Sequence, residues 1–464
     1  MPSRERDTRG RRPGGRRRSL GAGFRRLLAH ELRELAASRS WWLLLLVVGP
    51  LVGHAFVTST GLYAEASGAG GGAAALAQGL SPLEGIVVPT FGAYDLVATL
   101  LFPFVVIRLV ASERQTGALT LTLQAPAPLA LAVGAKAAAL LAGWTAALLG
   151  GVAALVVWLG AGGHLAAPET GAVVLGHLLR GVLTIGVGAA AGAVAASASS
   201  AAIVALTITL GTWALDYVAA ARGGALAAVA GYTPTASLRA FERGELRLAT
   251  VLVLVAVGAG GLAVATLALD ERRTAAARAG RCGAAVVTLG AACALCATVH
   301  TSRDVSEDRR NSFPPADEAA LAAIHDPLRV TVHLAAEDPR LTELERGVLA
   351  KLRRTMPGTT VVYAARGRSG LFEQPGDHYG EVWYAVGARR AMTRSTTEPI
   401  VLETIYEVAG RRRPTPLVDA PYPGYPLRVR PAAAPWLFFV AWPLAVAAAW
   451  WLARRPGTPQ LQEG

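Results

Sequence analysis

The stretch LATVLVLVAVGAGGLAVATLAL, residues 248–269, runs 22 residues without a charge. A helix rises about 1.5 Å per residue, so about 20 apolar residues cross a hydrocarbon layer of roughly 30 Å. The stretch reads as a membrane span, and Asp270, Glu271, Arg272 and Arg273 end it abruptly. Seven others read the same way: Trp41–Thr58, Val88–Val110, Ala132–Leu159, Ala172–Ala195, Ala201–Ala220, Cys282–Val299 and Ala433–Leu452. The expected fold is an α-helical polytopic membrane protein with about eight transmembrane helices and a small extracytoplasmic α/β domain between helices 7 and 8.

Charge divides the rest. The chain has 464 residues, 53% hydrophobic and only 17% charged, with a mean hydropathy of +0.39. The net charge is +13, of which 12 Arg against 4 acidic residues in 1–40 supply +8. Residues 301–432 hold 19 Lys/Arg and 17 Asp/Glu, the density of a solvated surface. A basic excess flanking an apolar span favours a membrane surface over nucleic acid. Basic segments mark the cytoplasmic side. Both termini are therefore expected in the cytoplasm, as in a multi-pass cell-membrane protein, and the polar insert outside. The expected organisation is a disordered basic tail over 1–22, an interfacial amphipathic helix over 23–38 and six spans over 41–275. The seventh span follows at 282–300, the outer domain at 301–432, the eighth span at 433–453 and a short tail at 454–464.

Phe24, Leu27, Leu28, Leu32 and Leu35 recur at helical spacing before Trp41 and Trp42. This reads as a helix in the inner interface anchored by the tryptophans, or as a cytosolic lead-in. Arg16, Arg17 and Arg18 lie too far from the first apolar core for a cleaved signal, so that span is read as retained.

Enzyme chemistry is absent from the sequence. There is no G-x-x-x-x-G-K-[ST] loop for ATP and no H-E-x-x-H zinc helix. Cys293 and Cys296 have metal or redox spacing, but inside a hydrophobic run they read as small packing residues. Gly186, Gly188, Gly192, Gly258, Gly260 and Gly261 fall inside spans, where small residues let helices approach closely. No cofactor is expected on this chain. His333 and His378 read as structural or exposed rather than as ligands.

Ionisable residues within spans carry a functional hypothesis by default. Asp95, Arg108, Lys136, His177, Arg180 and Asp216 qualify. Arg108 and Lys136 are expected to snorkel to the inner face. Arg180 and Asp216 fall at similar depth on neighbouring spans; they either pair, line a path, or do not meet.

Between spans two and three comes Ser112-Glu113-Arg114-Gln115-Thr116-Gly117-Ala118-Leu119, then Leu121, Leu123, Ala125 and Pro126, leading to Gly134 and Lys136. This resembles the cytoplasmic loop of type-2 ABC transporter permeases, with Gln115 and Ala118 as departures. The resemblance implies a coupling helix, carried by Glu113, Arg114, Gly117, Leu119, Leu123 and Pro126, that docks on a separate cytosolic ABC ATPase holding ATP and Mg. Ser237-Leu238-Arg239-Ala240-Phe241 with Gly244, and the end of span six, resemble the last external loop and span of that family. It implies a homodimer or heterodimer of permeases in the lipid bilayer, moving cargo by alternating access, most simply as an exporter.

Asp304-Val305-Ser306-Glu307-Asp308 with Arg310 opens the insert, and Gly380-Glu381-Val382, Thr393–Glu398 and Glu403–Tyr406 follow. These resemble the extracytoplasmic auxiliary, substrate-handling protein of gliding-motility-type ABC systems, here shortened. Strands are expected over Leu328–Leu334, Thr360–Ala364 and Glu381–Val386, and helices over Leu341–Met356 and Pro399–Val408. The competing readings are a membrane-anchored scaffold or sensor whose outer domain binds an envelope component, and, more weakly, a polytopic membrane enzyme.

Overall fold

The structure, a computed structural model, describes residues 13–69, 81–116, 128–222, 230–335, 338–364, 378–414, 422, 424–427 and 431–454. Among the described residues, eight helical segments are long and apolar enough to cross a membrane. They contain α2 (Arg39–Ala64), α3 (Val88–Thr116), α4 (Leu129–Gly160), α5 (Ala167–Val194), α6 (Ala198–Arg222), α8 (Leu248–Ala268), α9 (Ala275–Ala297) and α14 (Trp442–Arg454). Two short elements lie between α6 and α8: helix α7 (Pro234–Glu242) and strand β1 (Glu245–Arg247). The chain is a polytopic α-helical membrane protein, and all eight expected spans are present.

Helix α1 runs Pro13–Ala37. The expected disordered tail is thus helical from Pro13, and residues 1–12 lie outside the described set. Arg is a good helix former and Pro suits a first helical position, so Arg16, Arg17 and Arg18 extend the helix rather than fray it. An elbow at Ser38 turns α1 into α2, fixed by Trp42, whose indole donates to the Ala36 carbonyl at 2.6 Å. Trp41 is buried beside Leu35 against Gly143 of α4.

Glycine sets the helix crossings. A Cβ on Gly186 of α5 would strike the backbone of Gly258 on α8, and one on Gly261 would strike Gly186. Gly188 and Gly192 receive Val106 and Val110 of α3, and Gly260 receives Leu289 of α9. On α2, Gly49 and Gly53 receive Trp442 and Phe438 of the last span, and Trp442 donates to the Leu45 carbonyl at 2.8 Å. All six sequence-marked glycines therefore serve packing. A core of Phe56, Phe91, Tyr94, Phe102, Trp144 and Trp158 fills the space between α2, α3 and α4. Helices α6, α9 and α14 sit at the periphery with mostly exposed apolar faces. That is the surface lipid covers, since apolar side chains gain nothing from facing inward there.

The helices alternate in direction, so the segment after α9 emerges at the end of the bundle opposite α1. Strand β2 (Ser302–Asp304) pairs antiparallel with β1, matching Glu245 to Asp304. Next come helix α10 (Pro315–Ala322), strand β3 (Leu328–Val332), helices α11 (Pro339–Leu344) and α12 (Ala350–Thr355), and strand β4 (Thr360–Tyr363). Strands β5 (Val382–Val386) and β6 (Arg389–Thr393) and helix α13 (Glu398–Ala409) follow. The sheet order is β4-β3-β5-β6, parallel between β3 and β4 and antiparallel elsewhere. Val330, Val332, Val382 and Tyr384 face one way, onto Leu344, Leu352, Val401 and Ile405 of the helices, in a core separate from that of the spans. Strand β6 escaped the sequence reading because Arg389 and Arg390 mask any alternation, as did α10 and the β1–β2 ladder.

Candidate functional site

Three polar clusters stand out, one near each end of the bundle and one inside it. At the α1 end, Lys136 of α4 reaches both oxygens of Glu31 on α1, at 2.9 and 2.8 Å. The two side chains are 9% and 4% exposed. The expected snorkelling of Lys136 is thus corrected. Glu31 offers a fully formed partner inside, which a buried ammonium needs more than distant water. Arg108 is exposed. Glu113 and Arg114 lie on the last helical turn of α3. Gly117, Leu119, Leu123 and Pro126 lie outside the described residues.

Inside the bundle, Arg180 and Asp216 have separate partners, so of the three readings left open for them the pairing is not the one seen. The Arg180 guanidinium meets Asp95 of α3 at 2.5 Å and donates to the Thr99 hydroxyl at 2.9 Å. Asp95 and Thr99 are one helical turn apart, so both face α5. Asp216 sits elsewhere. Its carboxylate meets the hydroxyl of Thr233, the N-cap of α7, and Arg239 at 3.5 Å. Similar depth brought Arg180 and Asp216 together on paper, but depth says nothing of rotation about a helix axis. His177, one turn before Arg180, is fully buried against Phe91 and Tyr94, at ring-centroid distances of 5.2 and 5.6 Å. Its carbonyl accepts from the Trp144 indole at 2.8 Å, while its ring nitrogens have no hydrogen-bond partner among the described residues.

Helix α7 caps this cluster. Pro234 starts it, the Thr233 hydroxyl accepts from Ala236, and Phe241 seats on Gly176 of α5. Its last residue, Glu242, feels Asp95, Arg180, Arg239 and Arg243. Burial, then the Asp95 charge, push its carboxyl up to about 7.

The third cluster joins the spans to the insert and is built on residues 304–312. Asp304 accepts from Ser306 (backbone 3.0 Å, hydroxyl 2.6 Å), from Asn311 (backbone 3.1 Å) and from Ser312 (2.7 Å). Burial opposes its charge, yet these bonds together hold its carboxyl below the ordinary value. Val305 donates to the Gly244 carbonyl at 2.8 Å, and Asn311 to that of Arg243 at 2.7 Å. Gly244 takes φ +73° with Ser306 pressed against it, a place only glycine fills without strain. Arg310 binds Asp308 at 2.8 Å, Glu84 at 2.6 Å and Ser81 at 2.7 Å, the last two at the lead into α3. The Glu307 amide donates to Glu169 of α5 at 3.0 Å. The Glu307 carboxylate meets His164 at 3.0 Å, Tyr422 at 3.1 Å and Tyr425 at 2.7 Å. His164 stacks on Tyr425 at 3.5 Å. One short segment therefore touches the lead into α3, the α4–α5 connection, α5, the α7–β1 turn and Tyr422 and Tyr425 ahead of the last span. His164, Glu169 and Glu84 carried no signal in the sequence, because each acquires its role only through a partner more than 130 residues away.

Comparison with models of known families, with curated proteins and with solved structures finds no match.

On the sheet, Glu381 gathers His378 at 3.0 Å, Trp383 at 3.2 Å and Arg394 at 3.2 Å. The segments around Gly380 and Thr393, separate in sequence, thus meet. The His333 and His378 rings lie 5.8 Å apart. Among the described residues no group of three or more His, Cys, Asp or Glu is arranged to hold a metal ion.

Proposed function

We propose that the chain is the permease subunit of an ATP-driven ABC transporter, acting as an exporter and driven by a separate cytosolic ATPase. The observation that carries this reading is the segment from Ser112 to Pro126. Helix α3 ends at Thr116 and α4 begins at Leu129, at the bundle end where Glu31 and Lys136 clamp α1. A segment so placed can pass a push from a docked ATPase into α3 and α4 together, and through the clamp into α1. Rigid helices move as bodies, so a small displacement there becomes a tilt of the bundle.

In this reading the α1 end faces the cytoplasm, the insert lies outside, and two permeases form the path. The chain then performs no covalent chemistry; ATP and Mg belong to the partner. The outer sheet and its helices act as the auxiliary, cargo-handling part.

The test is purification from native membranes in mild detergent, with identification of co-purifying proteins and an ATPase assay. A stoichiometric ATPase is expected. Glu113→Ala should lower stimulated ATPase activity and transport while leaving membrane insertion intact. Isolation of the chain alone under several detergents would overturn the reading in favour of a membrane-anchored scaffold or sensor.

A further inference from the structure

Where residues 304–315 leave the bundle, a cleft of about 600 Å³ opens between the junction and the helices of the insert. Its volume lies within the range of small-molecule sites. Three features of its lining decide what it can hold.

The first is charge. The acids on the wall are Glu307, Asp308 and Glu398, and the bases are Arg309, Arg310 and Lys351, so the formal charge sums to zero. Most of these charges are already paired. Lys351 binds Glu398 at 2.7 Å, and Arg310 binds Asp308 at 2.8 Å. Arg309 reaches Glu318 at 4.0 Å, and Glu307 is held by two phenols and His164. A charged ligand would have to break one of these pairs, at the cost of leaving a half-buried charge alone.

The second is aromatic surface. Tyr422 and Tyr425 stand together on one wall, their ring centroids 5.9 Å apart, and Phe313 underlies the opposite side beneath Lys351. The third is acceptor capacity. The Glu307 carboxylate is filled by His164, Tyr422 and Tyr425, but among the described residues Glu398 accepts only from Lys351, and a carboxylate can accept about four hydrogens, so Glu398 has lone pairs to offer a ligand. Each phenol donates its one hydrogen to Glu307, which leaves the Tyr422 and Tyr425 oxygens as acceptors for a ligand hydroxyl.

We infer that this cleft is a binding site for a neutral, hydroxyl-rich ligand of the carbohydrate class, about the size of a disaccharide, stacked on Tyr422 beside Tyr425. Sugar rings present apolar C–H faces to aromatics and hydroxyls to carboxylates, and they carry no charge to disturb the internal pairs. The site needs no ATPase and stands independently of the transporter reading. Because Glu307 and Arg310 also hold His164 and Glu84, an occupied cleft would be felt at the lead into α3 and at the α4–α5 connection.

The experiment is calorimetric titration of the full chain in lipid nanodiscs, since glycoside detergents carry competing sugar head groups. Cellobiose, maltose and N,N′-diacetylchitobiose are the probes, with glycylglycine and inorganic phosphate as charged comparisons. At least one disaccharide should bind saturably at about 10 mM or tighter. Tyr422→Ala should weaken that binding roughly tenfold and Tyr422→Phe much less, as aromatic contact energies imply. Pro315→Trp, at an exposed position on the rim, should block binding while thermal unfolding stays unchanged. Absence of binding for all three disaccharides, or tighter binding of glycylglycine or phosphate, would overturn the assignment. So would disaccharide binding unaffected by both Tyr422→Ala and Pro315→Trp.

Discussion

Arg180 of α5 and Asp95 of α3 face each other at 2.5 Å with side chains 8% and 19% exposed, inside two membrane-crossing helices. Neither charge can be removed alone without stranding the other in a medium that solvates it poorly. Asp95→Asn or Arg180→Met should cost about 3–5 kcal/mol of stability, the usual penalty for breaking a buried pair. Exchanging the two residues, Asp95→Arg with Arg180→Asp, should recover a good part of it. Exchanging Arg180 with Asp216 should recover none, because Asp216 is held by Thr233 and Arg239. Thermal unfolding of the purified variants, followed by size-exclusion recovery, reads both outcomes; equal rescue by either exchange would remove the Asp95 pairing.

The clamp between Lys136 and Glu31 gives a second prediction. Glu31→Gln takes a carboxylate away from a buried ammonium that it contacts through both oxygens, so α1 should loosen from α4. Limited proteolysis should then cut within Pro13–Ala37, where the parent protein resists. The double variant Glu31→Met with Lys136→Met should restore protection, since a well-packed apolar pair often replaces a buried ion pair without loss. Cleavage at equal rates in all three proteins would show that the clamp does not hold α1.

How much of this was legible in the sequence follows from the range of each signal. Spans are local, and a run such as 248–269 announces itself because hydrocarbon tolerates little else. The glycines at 186, 258 and 261 were legible for the same reason: a span offers them few purposes other than close approach. Rotation about a helix axis is not local. Asp95 and Arg180 each qualified as candidates, but their pairing depends on how α3 and α5 turn toward each other. The junction was half legible. Asp304 through Arg310 stood out as a motif, whereas His164 and Glu169 look like ordinary loop and helix-start residues until residues 304–312 fold against them. Strand β6 was hidden because its charged residues are exposed and its partner β5 carries the apolar pattern.

The α5–α8 crossing makes the glycine argument quantitative. Gly186→Ala places a methyl against the backbone of Gly258, which has no side chain to move aside. The helices must separate, at a cost of about 1–3 kcal/mol or more, as in overpacked cores. Gly283→Ala in α9 meets nothing and should stabilise by about 0.5–1 kcal/mol through helix propensity alone. Opposite shifts in unfolding temperature are expected, and a neutral Gly186→Ala would mean that the helices do not cross there.

The acid Glu242 sets a pH dependence whose sign can be worked out. Its carboxyl ionises near 4.5 in an unfolded chain and near 7 in the folded one, where burial and Asp95 disfavour the charge. A group whose folded value is raised contributes its full stability below the unfolded value and loses it as pH rises through the folded value. The protein should therefore lose stability between about pH 4.5 and 7, by at most about 3 kcal/mol, and level off above. Arg180, Arg239 and Arg243 oppose the shift, so the loss measured will be the net of these. Glu242→Gln should flatten this part of the profile. Asp95→Asn removes the second cause of the shift and should move the midpoint to lower pH in whatever protein still folds. A profile identical in parent and Glu242→Gln proteins would show that Glu242 does not titrate in this range.

Asp304 offers the complementary case at the junction. Its carboxylate organises Ser306, Asn311 and Ser312, and through Val305 and Asn311 that loop grips the turn around Gly244. Asp304→Asn keeps the size but replaces one acceptor oxygen with a donor, and it cannot satisfy the Ser312 hydroxyl and the Asn311 amide together. The loop should loosen while the core around Val330, Tyr384 and Ile405, which shares none of these bonds, stays folded. Hydrogen exchange should thus accelerate over 301–312 and 243–248, with strands β3 and β5 unchanged. Because the folded carboxyl lies below its ordinary value, the parent protein should hold this junction at neutral pH and release it only in acid, as pH falls through that lowered value. If exchange instead rises equally across β3 and β5, the junction and the sheet unfold as one unit, and residues 304–312 are part of the insert's core rather than the hinge that fastens it to the spans.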